Sequence, residues 1–266
     1  MSPRYFDAHC HVQFDQYDTD REELLEKMRA REVAGVVVGC DLESSKKAIM
    51  LAERHEHIYA SVGVHPNHEA EEGYDVSNYR ALAQNAKVVG IGECGLDYFR
   101  PTEVNDGVKQ KQKVMLNEHI ELAAEFDKPL IIHSRPSKGT QDAYRDLIGI
   151  LKDAKKKHPK LRGDIHFFVG SIPEMQELTA LGFTVSFTAV ITFARDYDPV
   201  IKAAPLDMIL SETDAPYVAP ASRRGQRNDP LAVEEVAAKL ADIRGEDRES
   251  VRTALVANAK RLFGLG

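Results

Sequence analysis

The sequence predicts an α/β fold: a (β/α)8 TIM barrel, a single domain over residues 1–266, with an extra C-terminal helix. Three observations predict it. Short β-rich apolar runs alternate with longer amphipathic stretches from end to end, a pattern that demands parallel pairing with crossovers. There are eight such runs, and at 266 residues closure into a barrel is the economical way to bury them. No linker, low-complexity segment or composition shift divides the chain. A doubly wound open sheet is the structural rival.

The strand runs, in order, are YFDAHCH (5–11), GVVVGC (35–40), IYASVGVH (58–65), VVGIGECG (88–95), PLIIHS (129–134), DIHFFVG (164–170), TVSFTAV (184–190) and DMILSETD (207–214). Helical spacing lies between them. Over residues 20–33 it puts Leu24, Leu25, Met28 and Val33 on one face, and over 107–126 it does the same for Val114, Met115, Ile120, Leu122 and Phe126. Further helices are expected near 44–56, 77–86, 140–157, 173–181, 198–204 and 230–243. A final one near 247–262 carries Val251, Leu255, Val256 and Leu262.

Composition bounds the function. A net charge of −7 argues against an extended nucleic-acid-binding surface, while leaving room for a local basic patch. Cys10, Cys40 and Cys94 are odd in number, far apart and without a CxxC pair, which argues against a disulfide framework and a zinc knuckle. No apolar run approaches the roughly 20 residues of a membrane span, and MSPRYFDAHCH lacks the apolar core of a secretory signal. A cytoplasmic protein is expected, with no membrane contact and no obligate protein partner inferable.

The chemistry lies at the strand ends. Side chains alternate along a strand, so Asp7, His9 and His11 are expected on one face and Cys10 on the other, with Asp7 placed to orient a histidine. The fourth run closes with Glu93 and the fifth with His133; the sixth carries His166 and the eighth closes with Asp214. A carboxylate or imidazole at the end of an apolar run is costly unless it is paired or bound. In a barrel all these C-terminal strand ends converge on one mouth, where active sites sit. Four imidazoles and two carboxylates exceed the needs of one tetrahedral zinc with an open position, so two divalent ions fit better, with Glu93 able to bridge them. The donor types suit zinc, manganese, iron or nickel; magnesium is less at home among histidines.

The ordered series DAHCH, GVHP, GECGLD, IIHSR, HFFVGS and ETDAPY, closing with NAKRLFG, resembles the TatD family of metal-dependent deoxyribonucleases, among the amidohydrolase-like barrels. The resemblance runs from residue 5 to 264. It implies that His9, His11, Glu93 and Asp214 serve one metal and that Glu93, His133 and His166 serve the other. It also makes His65 an additional active-site histidine that contacts substrate phosphate or a further ion. The chain departs from the family in three places: HFFVGS stands where HCFSGS is usual, PSKGTQDAY follows HSR in place of a more acidic continuation, and RNDP replaces RNEP.

Such a site supports metal-assisted hydrolysis, with ions roughly 3.5–4 Å apart acidifying a water and clamping the attacking and leaving oxygens. Glu93 and Asp214 are the expected catalytic carboxylates, Asp214 as general base. Phosphodiesters also need positive charge at the mouth. Arg135 follows His133 closely, and Arg223, Arg224 and Arg227 cluster after the last strand run. Tyr98 and Phe99 are placed to stack a base or ribose. With His65, the residues Arg135, Tyr98 and Arg227 form the expected substrate-binding set. The leading expectation is a deoxyribonuclease acting as an exonuclease at single-stranded or duplex DNA ends. The alternative is a hydrolase of amides, lactones or aminoacyl esters on the same metals, since fold does not dictate substrate.

Overall fold

The computed structural model describes residues 3–67, 75–100 and 105–266. Eight parallel strands follow one another around a single sheet in sequence order. They are β1 (Tyr5–Cys10), β2 (Val33–Val38), β3 (Ile58–Val62), β4 (Val88–Asp97), β5 (Leu130–Arg135), β6 (Gly163–His166), β7 (Phe183–Phe187) and β8 (Ile209–Ser211). The crossover helices are α1 (Arg21–Ala30), α2 (Leu42–Arg54), α3 (Val76–Ala83), α4 (Asp106–Glu125), α5 (Asp142–Lys157), α6 (Ile172–Ala180) and α7 (Asp198–Ala203). Two more, α8 (Val233–Arg244) and α9 (Arg248–Phe263), follow β8.

The last gap closes by individual bonds. Ser211 Oγ donates to the Phe6 carbonyl at 3.2 Å, Asp214 N–H to His9 O at 2.9 Å, and His11 N–H to Ala215 O at 2.7 Å. The residues that complete the barrel are therefore also candidate ligands. The expected (β/α)8 barrel with its extra C-terminal helix is the observed fold. None of the helices among the described residues is long and apolar enough to cross a membrane.

Two apolar clusters hold the layers together. One joins the outer faces of the strands to the helices and contains Leu24, Leu25, Met28, Val37, Leu116 and Leu147. Cys10 belongs to it, fully buried, whereas Ala8, expected on the same face by strict alternation, lies in the interior cluster, because the β1 register shifts between Asp7 and Cys10. The other fills the barrel interior below the mouth with Phe6, Ala8, Val36, Ile131 and Leu210. It is closed by Val256, Ala259, Leu262 and Phe263 of α9, with the Phe263 ring stacked on Phe6 at 5.9 Å.

Several boundaries differ from the sequence expectation for local reasons. β6 stops at His166 because Phe167 takes φ 47°, a left-handed conformation that breaks the ladder. β7 stops at Phe187 because the Thr188 hydroxyl accepts from Val190 N–H and starts a helical turn over Ala189–Thr192. Val114 is 48 % exposed, so the apolar face of α4 is narrower than its periodicity predicts. Asp7 also moves. The register of β1 shifts between Asp7 and Cys10, and the Asp7 Cβ packs beside Gly35 on the side that faces Met28 of α1. It therefore does not share the face of His9 and touches no imidazole: its carboxylate takes the His9 N–H at 3.2 Å and the Thr213 N–H and hydroxyl at 2.9 and 2.6 Å.

Candidate metal centre

All six strand-end residues predicted as ligands meet at the C-terminal mouth, around Glu93. Two glycines let β4 bring that carboxylate in. Gly92 and Gly95 have φ 143° and 140°, and a Cβ on either would collide with a carbonyl oxygen of β5, at Ile131 or at His133. Glu93 is buried and divides its two oxygens between two sets of imidazoles. Its Oε2 lies 3.6 Å from His9 Nε2 and 3.9 Å from His11 Nε2. Its Oε1 lies 3.2 Å from His133 Nδ1, 3.5 Å from His166 Nε2 and 3.6 Å from His65 Nε2. Asp214 Oδ1 stands 3.5 Å from His11 Nε2 and 3.9 Å from His9 Nε2. Its φ of 54° is a left-handed value that aspartate tolerates better than most side chains.

Most of the imidazoles are anchored through one nitrogen and present the other. His11 Nδ1 is 2.9 Å from the Val38 carbonyl, so it carries the proton and leaves Nε2 as a lone pair. His166 Nδ1 faces Glu212 at 3.1 Å, and His133 Nε2 faces Asp97 at 3.1 Å, with the same consequence at their other nitrogens. His65 differs: its Nδ1 accepts the Asn67 N–H at 3.1 Å, so its Nε2 bears a proton and points it at Glu93. The structure thus presents His65 as a donor, unlike the other mouth imidazoles.

The donor set fits a divalent cation. Among the described residues, four overlapping triads have ligand atoms within 4.8 Å of one another: His9–His166–Asp214, His9–His11–Glu93, Glu93–His133–His166 and His65–Asp97–His133. Electrostatics points the same way. Burial pushes the Glu93 carboxyl up, but the surrounding His65, His133, His9 and His166 more than offset this and hold it well below the usual range. Burial works to lower the His166 imidazole, yet Glu212, Glu93 and Asp214 raise it to about 10. The negative potential that draws a proton onto His166 is what a divalent cation would satisfy. Burial lowers His9, helped by His166, whose ring stacks on it at 3.7 Å; burial likewise takes His65 down to about 3.

A cavity of about 540 Å³ opens over this group. Arg135, Arg100, Phe14 and Tyr217 line it, as does Ser134, whose buried hydroxyl has no partner among the described residues. Arg135 lies at the mouth with its guanidinium 4.0 Å over the ring of Phe99, which is 48 % exposed. Two expected substrate contacts lie elsewhere. Tyr98 is buried, donates its hydroxyl to Asp146 at 2.8 Å and carries Lys109 over its ring; of the pair after GLD, Phe99 is the one that faces out. Arg227 is held by Asp20, with one bond at 2.9 Å, and lies 4.4 Å over Tyr17, outside the cavity wall. Arg223 is paired with Asp229, and Arg224 stacks on Phe193.

Three participants escaped the sequence reading. Glu212 is fully buried and takes His166 Nδ1–H, the Phe167 N–H at 2.7 Å and the Ser186 hydroxyl at 2.9 Å. Its position inside the apolar run ILSETD was a signal of the same kind as Asp214. Asp97, which ends β4, joins His133 to the mouth loop by accepting from Phe99 N–H and Arg100 N–H, both at 2.9 Å. Cys40 lines the cavity with its thiol 3.4 Å from Glu93 Oε2; burial keeps that thiol protonated, and no spacing rule marked it.

Comparison with known proteins agrees with this geometry. A family model described as TatD related DNase matches residues 6–264. The chain is 36 % identical over 262 residues to the metal-dependent hydrolase YabD of Bacillus subtilis, covering 97 % of this chain and 98 % of that one. It is 34 % identical over 268 residues to a protein of Cronobacter sakazakii named 3'-5' ssDNA/RNA exonuclease TatD, covering 97 % of each. The crystal structure of YjjV, a TatD homologue from Escherichia coli, superposes with a TM-score of 0.88 at 30 % identity over the full length of both chains. A barrel that gathers His, Glu and Asp donors at its mouth, matched from end to end by these relatives, belongs to the TatD family of metal-dependent hydrolases.

Proposed function

We propose that this chain is a divalent-metal-dependent nuclease that removes nucleotides from the ends of single-stranded nucleic acid, with two ions sharing Glu93. The observation that carries the reading is the division of that carboxylate: Oε2 faces His9 and His11, and Oε1 faces His133 and His166. On this reading His9, His11, Glu93 and Asp214 hold one ion, and Glu93, His133 and His166 hold the other. Zinc and manganese suit the imidazole-rich set best, ahead of magnesium. Such ions supply Lewis acidity toward the phosphoryl group and an acidified water.

The chain's own residues do the rest. The hydrogen bonds at Val38, Glu212 and Asp97 fix ring orientation before any ligand arrives. Asp214, whose carboxyl burial raises and whose neighbours His11, His166 and His9 bring below the ordinary range, stays ionised to accept a proton as general base. Arg135 and Arg100, which line the cavity, offer charge to the non-bridging oxygens, and His65 lines the same cavity with its N–H turned to Glu93. The name borne by the Cronobacter sakazakii relative supports both the end preference and the single-stranded substrate. Three free thiols fit action in a reducing compartment, the cytoplasm.

The test is hydrolysis of end-labelled single-stranded DNA by protein reconstituted with manganese or zinc, with Glu93→Ala as control. Mononucleotides should be released from linear DNA, a covalently closed circle should survive, and Glu93→Ala should be inactive. Equal cleavage of circle and linear strand overturns the end preference. Activity in Glu93→Ala overturns the shared carboxylate. Turnover of amides or lactones without any of nucleic acid overturns the substrate class.

A further inference from the structure

The concave surface continues beyond the cavity that holds the metal centre. A second cavity of about 640 Å³ lies beside it; Arg135 and Val169 contribute to the walls of both, and Phe99, under the Arg135 guanidinium, lines the second. The rest of its lining is the loop of residues 136–141, which leaves β5 at the mouth, and Arg145 from the first turn of α5.

Its charge is one-sided. Arg135, Lys138 and Arg145 line it, and no aspartate or glutamate does. None of the three has a carboxylate partner among the described residues: Arg135 rests on the Phe99 ring, and Lys138 and Arg145 are exposed. The nearby acid, Asp142, is spent internally. Its oxygens take the Ser137 N–H at 2.9 Å, the Ser137 and Thr140 hydroxyls at 2.8 Å each, and Lys109 at 3.1 Å. Burial would raise its carboxyl, and these bonds hold it well below the usual carboxylate range instead. The loop is therefore shaped by its own acid and shows only cations outward. On a chain of net charge −7, such a concentration beside the mouth attracts a polyanion.

Resting on the nuclease reading of the metal centre, the geometry points to this groove as the track of the polynucleotide chain. Phe99 stacks a base inside this groove, next to the shared Arg135, and Lys138 and Arg145 take the phosphates of nucleotides beyond the bond that is cut. Stacking on an exposed ring with flanking cations is how sequence-tolerant single-strand binding works. The groove makes the enzyme favour strands over dinucleotides, because only a strand reaches both the metals and the far cations.

The experiment compares wild type with the double variant Lys138→Ala/Arg145→Ala, both reconstituted with manganese. Binding is read by fluorescence anisotropy on a phosphorothioate oligothymidylate of about twelve nucleotides, at several salt concentrations. The double variant should lose affinity on the order of tenfold, and the slope of log K against log salt should shrink by about 1.4, or about 0.7 for each contact removed. Its kcat/KM on a dinucleotide should fall by no more than about twofold, because phosphate contacts that a short substrate cannot reach do not act on it. Lys160→Ala/Lys202→Ala, in the turn before β6 and the last turn of α7 at the opposite end of the barrel, removes the same number of charges and controls for net charge. If wild type and double variant share affinity and salt slope, the groove is not the track and the nuclease reading stands. If wild type neither binds nor hydrolyses the oligonucleotide, both readings fall together.

Discussion

Glu212 accepts the Nδ1 proton of His166 at 3.1 Å, and so leaves His166 Nε2 facing Glu93 at 3.5 Å. The same carboxylate also takes the Phe167 N–H, which holds the left-handed turn that ends β6. Replacing Glu212 by Gln preserves shape but removes the charge and disturbs the tautomer. Metal affinity should fall about 10–100-fold. Competition of the metal against a chromophoric chelator measures it; an unchanged dissociation constant would deny Glu212 a part in orienting His166.

Glu93→Gln tests the division of one carboxylate between two imidazole sets. The variant keeps a polar side chain of the same length, but neutral. If two ions share Glu93 as proposed, metal content after dialysis should fall from two towards one or none, and hydrolysis should drop by on the order of a thousandfold or more. Two tightly held ions in the variant would show that the histidines hold them without Glu93.

A third expectation concerns pH. Ser186 Oγ lies 2.6 Å from Asp164 Oδ2 and 2.9 Å from Glu212 Oε2. One hydroxyl has one proton to donate, so a proton on Asp164 completes the chain. Burial and the adjacent Glu212 push the Asp164 carboxyl up to about 7, against about 3.9 when unfolded. The folded state then binds a proton that the unfolded chain has released. The stability this contributes is full below the unfolded value and is lost as pH rises to about 7. Melting of the metal-free wild type should therefore fall relative to Asp164→Asn between about pH 4 and about pH 7. Parallel melting curves across that range would contradict it.

Arg135→Ala removes the one guanidinium shared by both cavities. A charged hydrogen bond of this kind is worth about 1.5–3 kcal/mol, so kcat/KM on a phosphodiester should fall by roughly 10–150-fold. The melting temperature should hardly move, because among the described residues the guanidinium rests on the exposed Phe99 and has no carboxylate partner. An unaltered kcat/KM would remove Arg135 from substrate binding.

Tyr98→Phe and Arg227→Ala should behave in the opposite way. Each residue is engaged with a partner of its own chain, the buried Tyr98 with Asp146 and Arg227, at the surface, with Asp20. Each should cost about 0.5–1.5 kcal/mol in denaturant unfolding and leave KM as it was. A raised KM with normal stability would return either residue to the substrate site.

The fold was legible because alternation of strand and helix periods is a property of the whole chain and survives local noise. The candidate ligands were legible for a related reason: a titratable residue at the end of an apolar run is expensive, and His9, Glu93, His133 and Asp214 all sit at such ends. What strict alternation could not show was the register shift in β1: the Asp7 carboxylate takes the His9 backbone N–H and the Thr213 N–H and hydroxyl rather than an imidazole. Nor could spacing sort the arginines, because whether Arg227 faces solvent or Asp20 depends on a partner more than 200 positions away in the chain. Tyr98 and Phe99 are neighbours of similar chemistry, and only the path of the loop decides which of them is buried.

The α9 helix that floors the barrel bears on the order of events during synthesis. A growing chain that has emerged through Asp214 already carries every candidate ligand and both partners of each anchoring bond. The floor of its barrel is still open, because Val256, Ala259, Leu262 and Phe263 have not arrived. Phe6 is made near the start and waits for Phe263 to cover it. The metal centre can thus be assembled from one end while the opposite end is unsealed, and the seal is the later event.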